Sequence, residues 1–391
     1  MTTKSISFTP PRQLMKGLLG TTFVCGLIFG IGLLVSRERT MGGFLMGFSH
    51  AVSIALGGGL FLAVLRLTNA RWASALKRLP EALGSSLPVL GILGLILIGG
   101  VPVLYEWAHE SHVIGDTMLE DKAPYLNWFA FSVRLVVYFL LWTWLLRGMI
   151  TNSRQQDVDG DPRHARALFR YAALFMPIFA LTYSLASVDW ISSLEPHWFS
   201  TLFGLITLSS AACSALAVCV LLALWLRRRG EMRGILTDDH LDDLGKITIS
   251  FALFWGYMWY TQYMLIWYTN MPEETPYYAL RMHGGWGHVS KLCIALCWAV
   301  PFFALMPKRA RRSGSVMARV AVIVLLGQAA YWYWLIGPVL IGEHPAFGIW
   351  ELAPIVGCLA LGTWGTLRGL SQASVVPMHD PAVEESLHYH C

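Results

Sequence analysis

Charged residues are scarce in this sequence. Only 14% of its 391 residues are Asp, Glu, Lys or Arg, and 55% are hydrophobic. An average soluble domain carries roughly 25% charged residues. The apolar residues also come in long blocks rather than in alternating or striped patterns. This composition argues against a soluble protein and predicts an all-α integral membrane protein.

Sequence motifs for metals and nucleotides are also lacking. The seven cysteines form no CxxC pair, and there is no Walker loop, HExxH motif or acidic metal cluster. Of the twelve histidines, only His50 and His288 lie clearly inside apolar blocks. A single haem between these two histidines stays open as an alternative. Otherwise the sequence predicts no metal and no cofactor bound by this chain itself.

Ten apolar blocks are present, each about long enough to cross the ~30 Å of hydrocarbon in a bilayer. The first block lacks a clear cleavage site, so we interpret it as a retained helix. We predict one membrane domain over residues 1–370, followed by a flexible cytoplasmic tail at 371–391. The ten predicted transmembrane helices cover 15–35, 43–66, 88–107, 125–149, 167–189, 198–226, 247–269, 284–306, 316–338 and 347–370.

Lys and Arg residues are strongly biased to one side of this topology. The N-terminal segment, the alternate loops and the end of the last helix hold 23 of them, whereas the opposite loops hold 4. By the positive-inside rule, both termini are predicted to be cytoplasmic. The net charge of +5 therefore reflects topology, and we predict no nucleic-acid partner.

Two short matches suggest an internal duplication. Phe48-Ser49 corresponds to Phe199-Ser200, and FSVRL at 131–135, with Arg134, corresponds to HVSKL at 288–292, with Lys291. The two offsets are nearly equal, which is typical of repeated membrane units. We therefore predict two four-helix bundles, residues 43–189 (helices 2–5) and 198–338 (helices 6–9), with helices 1 and 10 flanking them.

Ionisable residues inside a bilayer cost at least ~2.5–3.5 kcal/mol each on insertion scales, so they suggest function. Such residues lie in or beside the outer half of the predicted spans. A one-sided polar cluster fits a quinone headgroup pocket or a proton half-channel, whereas an Arg134–Asp189 ion pair fits a structural role. The candidate site residues are Arg134, Asp189, Glu195, His197, His50, Glu106, Lys291 and His288.

Tryptophans mark the outer ends of the predicted helices. They are interpreted as an interfacial aromatic belt rather than as ligand-stacking residues. The set comprises Trp107, Trp128, Trp190, Trp198, Trp267, Trp286 and Trp350.

Three outer segments resemble a known family. The first, YLNWF at 125–129, leads to Arg134 and Tyr138; the second is SVDWISSLEPHWFST at 187–201. The third comprises Gln262-Tyr263, IWY at 266–268 and NMPEET at 270–275. Together they are similar to ActF, the smaller NrfD-like membrane subunit of bacterial alternative complex III, a quinol:cytochrome c (or electron-carrier) oxidoreductase. The second segment is the most specific.

The resemblance implies a bacterial inner-membrane protein with two four-helix bundles and flanking helices. It also implies a larger NrfD-like subunit, an iron–sulfur subunit, multihaem and monohaem cytochromes c and small membrane anchors as partners, with a terminal oxidase as a further one. Haem c and iron–sulfur clusters would belong to those partners, while quinone or menaquinone is the small molecule implied. Arg134, Asp189, Glu195 and His197 are carried over as motif positions.

Three functions remain open on the sequence. In the first, the chain contributes to the quinol site or to proton conduction toward the periplasm, without a redox centre of its own. In the second, it is a structural scaffold of the same complex. In the third, it is a secondary transporter, although Gly57-Gly58-Gly59 has no clear counterpart in helix 6.

Overall fold

The computed structural model describes residues 6–390, and the chain is about 80% helical. The described residues form no β-strand; an isolated bridge joins Ser7 and Ser374. The long helices of this part of the chain are α1 Arg12–Val35, α2 Arg37–Leu67, α3 Leu87–Leu104, α4 Trp128–Asp159, α5 Pro162–Trp190, α6 Phe203–Arg229, α7 Asp238–Thr269, α8 Trp286–Leu305, α9 Gly314–Ile341 and α10 Ile349–Leu370.

Shorter helical segments lie between the long helices. A π-helical turn, Ala295–Ala299, interrupts α8. The remaining short segments are Arg71–Leu76, Arg78–Gly84, Glu106–Ala108, Glu110–Val113, Thr117–Lys122, Ser192–Leu194, Thr275–Met282, Lys308–Arg311 and Val383–Leu387.

Eight helices between residues 6 and 390 are long and apolar enough to cross a membrane. They include every long helix except α7 and α10, with the α3 span extended back to Arg78. The prediction of an all-α membrane protein is confirmed at this level. The count of ten spans stays a prediction, since α7 and α10 fall outside the eight.

Several helices are longer than the apolar blocks that predicted them. Helix α2 begins at Arg37 rather than near residue 43, α4 continues to Asp159, and α7 begins at Asp238. Apolar blocks mark only the part of a helix that lies in hydrocarbon. Helical hydrogen bonding continues beyond that part until a cap ends it, as Thr237 does at the start of α7.

The long helices pack in two closed rings. Helices α2, α3, α4 and α5 contact one another in that order and close from α5 back to α2. Helices α6, α7, α8 and α9 close in the same way, from α9 back to α6. Helix α2 also packs on α6 and α9, and α5 packs on α6. Helices α1 and α10 lie against each other and against α2.

Helix α2 is at the centre of the molecule, and most of its residues are buried. Glycines allow this crowding because they let helix backbones approach closely. A Cβ at Gly57 would lie 2.1 Å from the carbonyl oxygen of Ala211 in α6. A Cβ at Gly47 would lie 2.5 Å from the Ile355 Cα in α10.

The end of the molecule that carries most Lys and Arg residues, here called the basic end, is partly covered by residues 371–390. Lys77 Nζ lies 2.6 Å from Asp380 Oδ2, and the Ala75 N–H donates to Ser386 Oγ over 3.2 Å. Three valines of the segment are buried: Val375, Val376 and Val383. The structure thus differs from the predicted flexible tail. The segment has no apolar periodicity, and it is held instead by single contacts to residues 146 to 368 positions away.

Candidate functional site

An ion pair between α4 and α5 lies at the end of the molecule opposite the basic end. Arg134 Nε donates to Asp189 Oδ2 over 2.9 Å and Nη2 donates to Oδ1 over 3.0 Å. Tyr138 Oη donates to Oδ2 as well, over 2.9 Å. The Arg134 guanidinium stands 3.8 Å from the Tyr125 ring centroid. These four residues are called the Arg134 cluster below, and they contain the ion pair considered in the sequence analysis.

Local structure fixes both partners of this pair. Asn127 Oδ1 accepts the Ala130 N–H over 2.8 Å and so caps the start of α4 about two turns before Arg134. Arg134 Nη1 donates back to the Tyr125 carbonyl over 2.8 Å. Asp189 lies in the last turn of α5 and is 1% exposed. A buried carboxylate needs such a bidentate partner because an unpaired charge there would be very costly.

Aromatic residues hold the loop that follows Asp189. Tyr105 Oη donates to the Trp190 carbonyl over 2.9 Å, and Trp107 Nε1 donates to the Ser193 carbonyl over 3.2 Å. The rings of Tyr105 and Trp107 stack with centroids 4.9 Å apart. Burial at these positions differs from the predicted interfacial belt. Trp107, Trp190, Trp198 and Trp286 are buried, whereas Trp128 and Trp267 are exposed.

A second arginine–carboxylate pair involves Arg281, one of the four Lys and Arg residues that the sequence places in the less basic loops. Arg281 Nη2 lies 2.5 Å from Glu195 Oε2, and its guanidinium stands 3.7 Å from the Tyr277 ring centroid. Arg281 also donates to the carbonyls of Tyr277 (3.1 Å) and Leu335 (2.8 Å). It is 2% exposed. We call Arg281, Glu195 and Tyr277 the Arg281 cluster.

The two clusters share one design. In each, a guanidinium lies over a tyrosine ring, pairs with a carboxylate and donates to that tyrosine's own carbonyl. Arg134 belongs to the ring of α2–α5, and Arg281 lies on the short helix that packs on α8. The SVDWISSLEPHWFST segment supplies the carboxylate of both, as Asp189 and Glu195. Stacking and bidentate pairing favour arginine over lysine at such positions.

His197 is placed apart from both pairs. Its Nε2 lies 2.6 Å from Asp116 Oδ2, and the imidazole is half-exposed. The hydrogen bond from His197, followed by the Leu119 N–H, lowers the pKa of Asp116. Lys122 Nζ donates to the Pro196 carbonyl beside it over 2.5 Å. These contacts fasten the 106–126 loop to the 191–202 loop.

His50 is buried alone inside α2. It is 2% exposed, and neither ring nitrogen has a hydrogen-bond partner among the described residues. His288 is exposed on α8. An interior histidine and an exposed one do not form the facing pair that a bis-histidine haem requires, so the structure does not support that alternative.

Glu106, Lys291 and His288 do not join the predicted cluster. All three are exposed, and α3 ends at Leu104, before Glu106 is reached. Lys291 points outward because the register of α8 buries Ser290 and Cys293 instead. The expected correspondence of Phe48-Ser49 with Phe199-Ser200 is also wrong, since the first pair is inside α2 and the second precedes α6.

A charged network at the basic end went unnoticed in the sequence. Arg78 is buried and pairs with Glu81 and with Asp157. Ser153 Oγ donates to Glu81 Oε1 over 2.5 Å and accepts from Arg78 Nη1 over 3.1 Å. Arg78 lies in one of the basic loops, where the positive-inside rule alone accounts for an arginine. The Arg78/Glu81 spacing of three residues on a helix was the available signal.

Comparisons with models of known protein families and with curated proteins find no match for this chain. The resemblance to the smaller NrfD-like subunit therefore rests on the three motif segments quoted above.

Proposed function

We propose that this chain is a membrane subunit of a respiratory quinol:electron-acceptor oxidoreductase of the alternative complex III type. Its part is to shape the quinol-site environment or to conduct protons toward the periplasm. The observation that carries this proposal is the Arg134 cluster, because its four members come from two motif segments of the resemblance and meet around one buried carboxylate.

The chemistry of the cluster suits a site that handles protons. Quinol oxidation releases two electrons and two protons. The electrons leave through iron–sulfur and haem centres of partner subunits, since we assign this chain no redox centre. Asp189 is the buried carboxylate, and Tyr138 and Arg134 donate hydrogen bonds to it. Tyr125, partly exposed at the rim, offers a hydroxyl to a quinone carbonyl.

The membrane topology that we propose for the chain is the one predicted from its Lys and Arg distribution. The basic end is cytoplasmic, the two clusters face the periplasm of a bacterial inner membrane, and all ten long helices span. The two rings of helices are the paired four-helix bundles, with α1 and α10 flanking them. The packing contacts between the long helices are consistent with this division.

The first test is affinity purification of the chain from native membranes in mild detergent, with a visible spectrum and mass identification of associated proteins. We expect c-type haem absorbance and an iron–sulfur subunit to co-purify. A colourless chain that arrives alone, from membranes in which other respiratory complexes survive, contradicts the proposal and favours the transporter.

The second test replaces the buried carboxylate. In assembled complexes, Asp189→Asn and Arg134→Ala are each expected to lower quinol oxidation at least tenfold. The first removes the buried carboxylate of the ion pair, and the second removes its cation. Stopped-flow quinol oxidation and proton release provide the measurement. Glu110→Gln is the matched control, since Glu110 is exposed at the same end. Full activity in both variants would refute the site assignment.

A structural scaffold is the second candidate function, and one observation favours it. Both oxygens of Asp189 are already occupied, one by Arg134 and the other by Arg134 together with Tyr138. A carboxylate with both oxygens hydrogen-bonded is suited to linking α4 and α5 structurally. On this alternative, Asp189→Asn lowers the yield of assembled complex, while the complexes that do form oxidise quinol at the normal rate.

A further inference from the structure

A polar cavity of about 300 Å³ opens at the basic end, between α3, α4 and the start of the C-terminal segment. None of the residues that line it is acidic. The polar side chains of the lining are Ser85, Thr143, Arg147, Thr151, Arg154 and Gln372. Two cations without a carboxylate in the same cavity make it a site for an anion.

Arg154 is held in place without a carboxylate contact of its own. Its Nη1 donates to Gln372 Oε1 over 2.6 Å, and its Nη2 donates to the Gly369 carbonyl over 2.9 Å and to Ser85 Oγ over 3.3 Å. All three acceptors are neutral. The nearest carboxylate network, at Glu81, is already occupied by Arg78 and Ser153. The Arg154 guanidinium is therefore held in one orientation, and no bonded carboxylate neutralises its positive charge.

Arg147 lies two helical turns from Arg154 on the same face of α4. It is exposed, and we find no ion pair or hydrogen bond to it among residues 6–390. Arg147 comes 19 residues after the start of α4, which places it about 28 Å along the helix axis. That distance is close to the thickness of the hydrocarbon layer. Arg147 thus lies at the level of lipid headgroups.

The same face of α4 becomes apolar toward the middle of the membrane. Val136, Leu140 and Trp144 are exposed and lie at successive turns that lead to Arg147. On the neighbouring α3, Ile92 is exposed as well. This surface is apolar for three turns and then carries the two cations Arg147 and Arg154. It therefore complements an amphiphile that has an apolar chain and an anionic headgroup.

We propose that this cavity binds the phosphate group of an anionic phospholipid, with its acyl chains along the exposed apolar stripe of α4. Arg147 supplies the free charge, Arg154 the oriented charge, and Thr143 and Thr151 supply hydroxyl donors. Basic pockets between membrane helices on the positive-inside face are suited to such headgroups. The inference is independent of the proposed respiratory function.

The experiment uses the purified full-length chain in detergent with added phosphatidylglycerol, phosphatidylcholine or inorganic phosphate. Lipid adducts are counted by native mass spectrometry, and thermal stability is followed in parallel. Wild type is expected to retain phosphatidylglycerol preferentially. Arg147→Gln is expected to weaken its binding about fivefold, the effect of one cation near an anionic headgroup. Arg170→Gln is the matched control, an exposed arginine of α5 outside the cavity lining.

Equal phosphatidylglycerol binding by wild type and Arg147→Gln overturns the proposal, as does equal binding of the anionic and zwitterionic lipids. Stabilisation by inorganic phosphate as strong as that by the lipid assigns the cavity to a free anion and also overturns it. Arg154→Gln serves as a second variant. Since Arg154 links three segments and Arg147 links none, Arg147→Gln still decides the question if Arg154→Gln does not fold.

Discussion

Arg281 is a buried cation whose two Nη atoms have partners, whereas its Nε has no hydrogen-bond partner among the described residues. Its guanidinium is paired with Glu195, stacked on Tyr277 and bonded to two carbonyls. Breaking a buried ion pair by removing one partner costs about 3–5 kcal/mol because the other charge and its neighbours lose their compensation. Glu195 is partly exposed and can rehydrate, which places the expected loss at the lower end.

We therefore expect Arg281→Met to lower the free energy of unfolding by about 3 kcal/mol. Unfolding of the detergent-solubilised chain in increasing SDS gives the measurement. Arg37→Met is the control, since Arg37 is exposed at the same end of the molecule. A variant as stable as the control would show that the Arg281 cluster contributes no net stability.

Individual residues of the site differ in how well the sequence predicted them. The Arg134–Asp189 pair was foreseen because both residues lie within or at the end of apolar blocks. Arg281 was missed because it lies in a short loop helix, where a cation usually faces water. Lys291 was predicted from its depth in an apolar block and from its match to Arg134, but neither tells which side of the helix a residue faces.

At the scale of one element, the close packing of helix α2 on α6 leads to a testable prediction. Gly57 faces the backbone of α6 at a distance that leaves no room for a methyl group. We expect Gly57→Ala to lower the free energy of unfolding by about 1–3 kcal/mol, because the two helices must separate. The measurement is thermal unfolding in detergent, followed by helical circular dichroism.

The matched control for this element is Gly99→Ala in α3, where a Cβ meets nothing within 4 Å. Because alanine is the better helix former, Gly99→Ala is expected to be neutral or to stabilise by about 0.5–1 kcal/mol. If both variants were equally destabilised, helix propensity or general membrane effects would explain the loss instead of the close approach of α2 and α6.

The elements were predictable to differing degrees. Every long helix overlaps an apolar block, because hydropathy directly reflects the cost of exposing polar groups to lipid. Helix ends such as Asp159 in α4 were not predictable, since amphipathic extensions outside the bilayer carry no apolar signal. The helices that pack on α2 were also not predictable. Glycine spacing indicates that another helix packs closely, but it does not indicate which one.

At the scale of the whole molecule, the C-terminal segment joins parts of the chain that are distant in sequence. His240, in the first turn of α7, has Nε2 within 3.1 Å of the Trp72 carbonyl and 3.3 Å of Ser386 Oγ. Its Nδ1 lies 2.7 Å from Thr237 Oγ1. His240 therefore connects α7, the 71–76 segment and the C-terminal segment at the basic end.

This junction is expected to loosen in mild acid. Burial lowers the pKa of His240 below its ordinary value of 6.5, although the nearby carboxylates of Asp239 and Asp243 oppose the shift. The unfolded or undocked state therefore binds a proton more readily than the docked state does. By linkage, docking is most stable above pH 6.5 and weakens as the pH falls below 6.5 toward the lowered pKa.

Limited proteolysis of residues 371–390 at pH 7.5 and pH 5.5 measures this effect, and cleavage is expected to be faster at the lower pH. His240→Gln separates this histidine from His379, His388 and His390 of the segment itself, because glutamine does not titrate. We expect its cleavage rate to be the same at both pH values once protease activity is normalised on an unrelated substrate. An unchanged acid response in His240→Gln would assign the effect to the segment's own histidines, and docking would then depend on charge at the segment rather than on the buried imidazole.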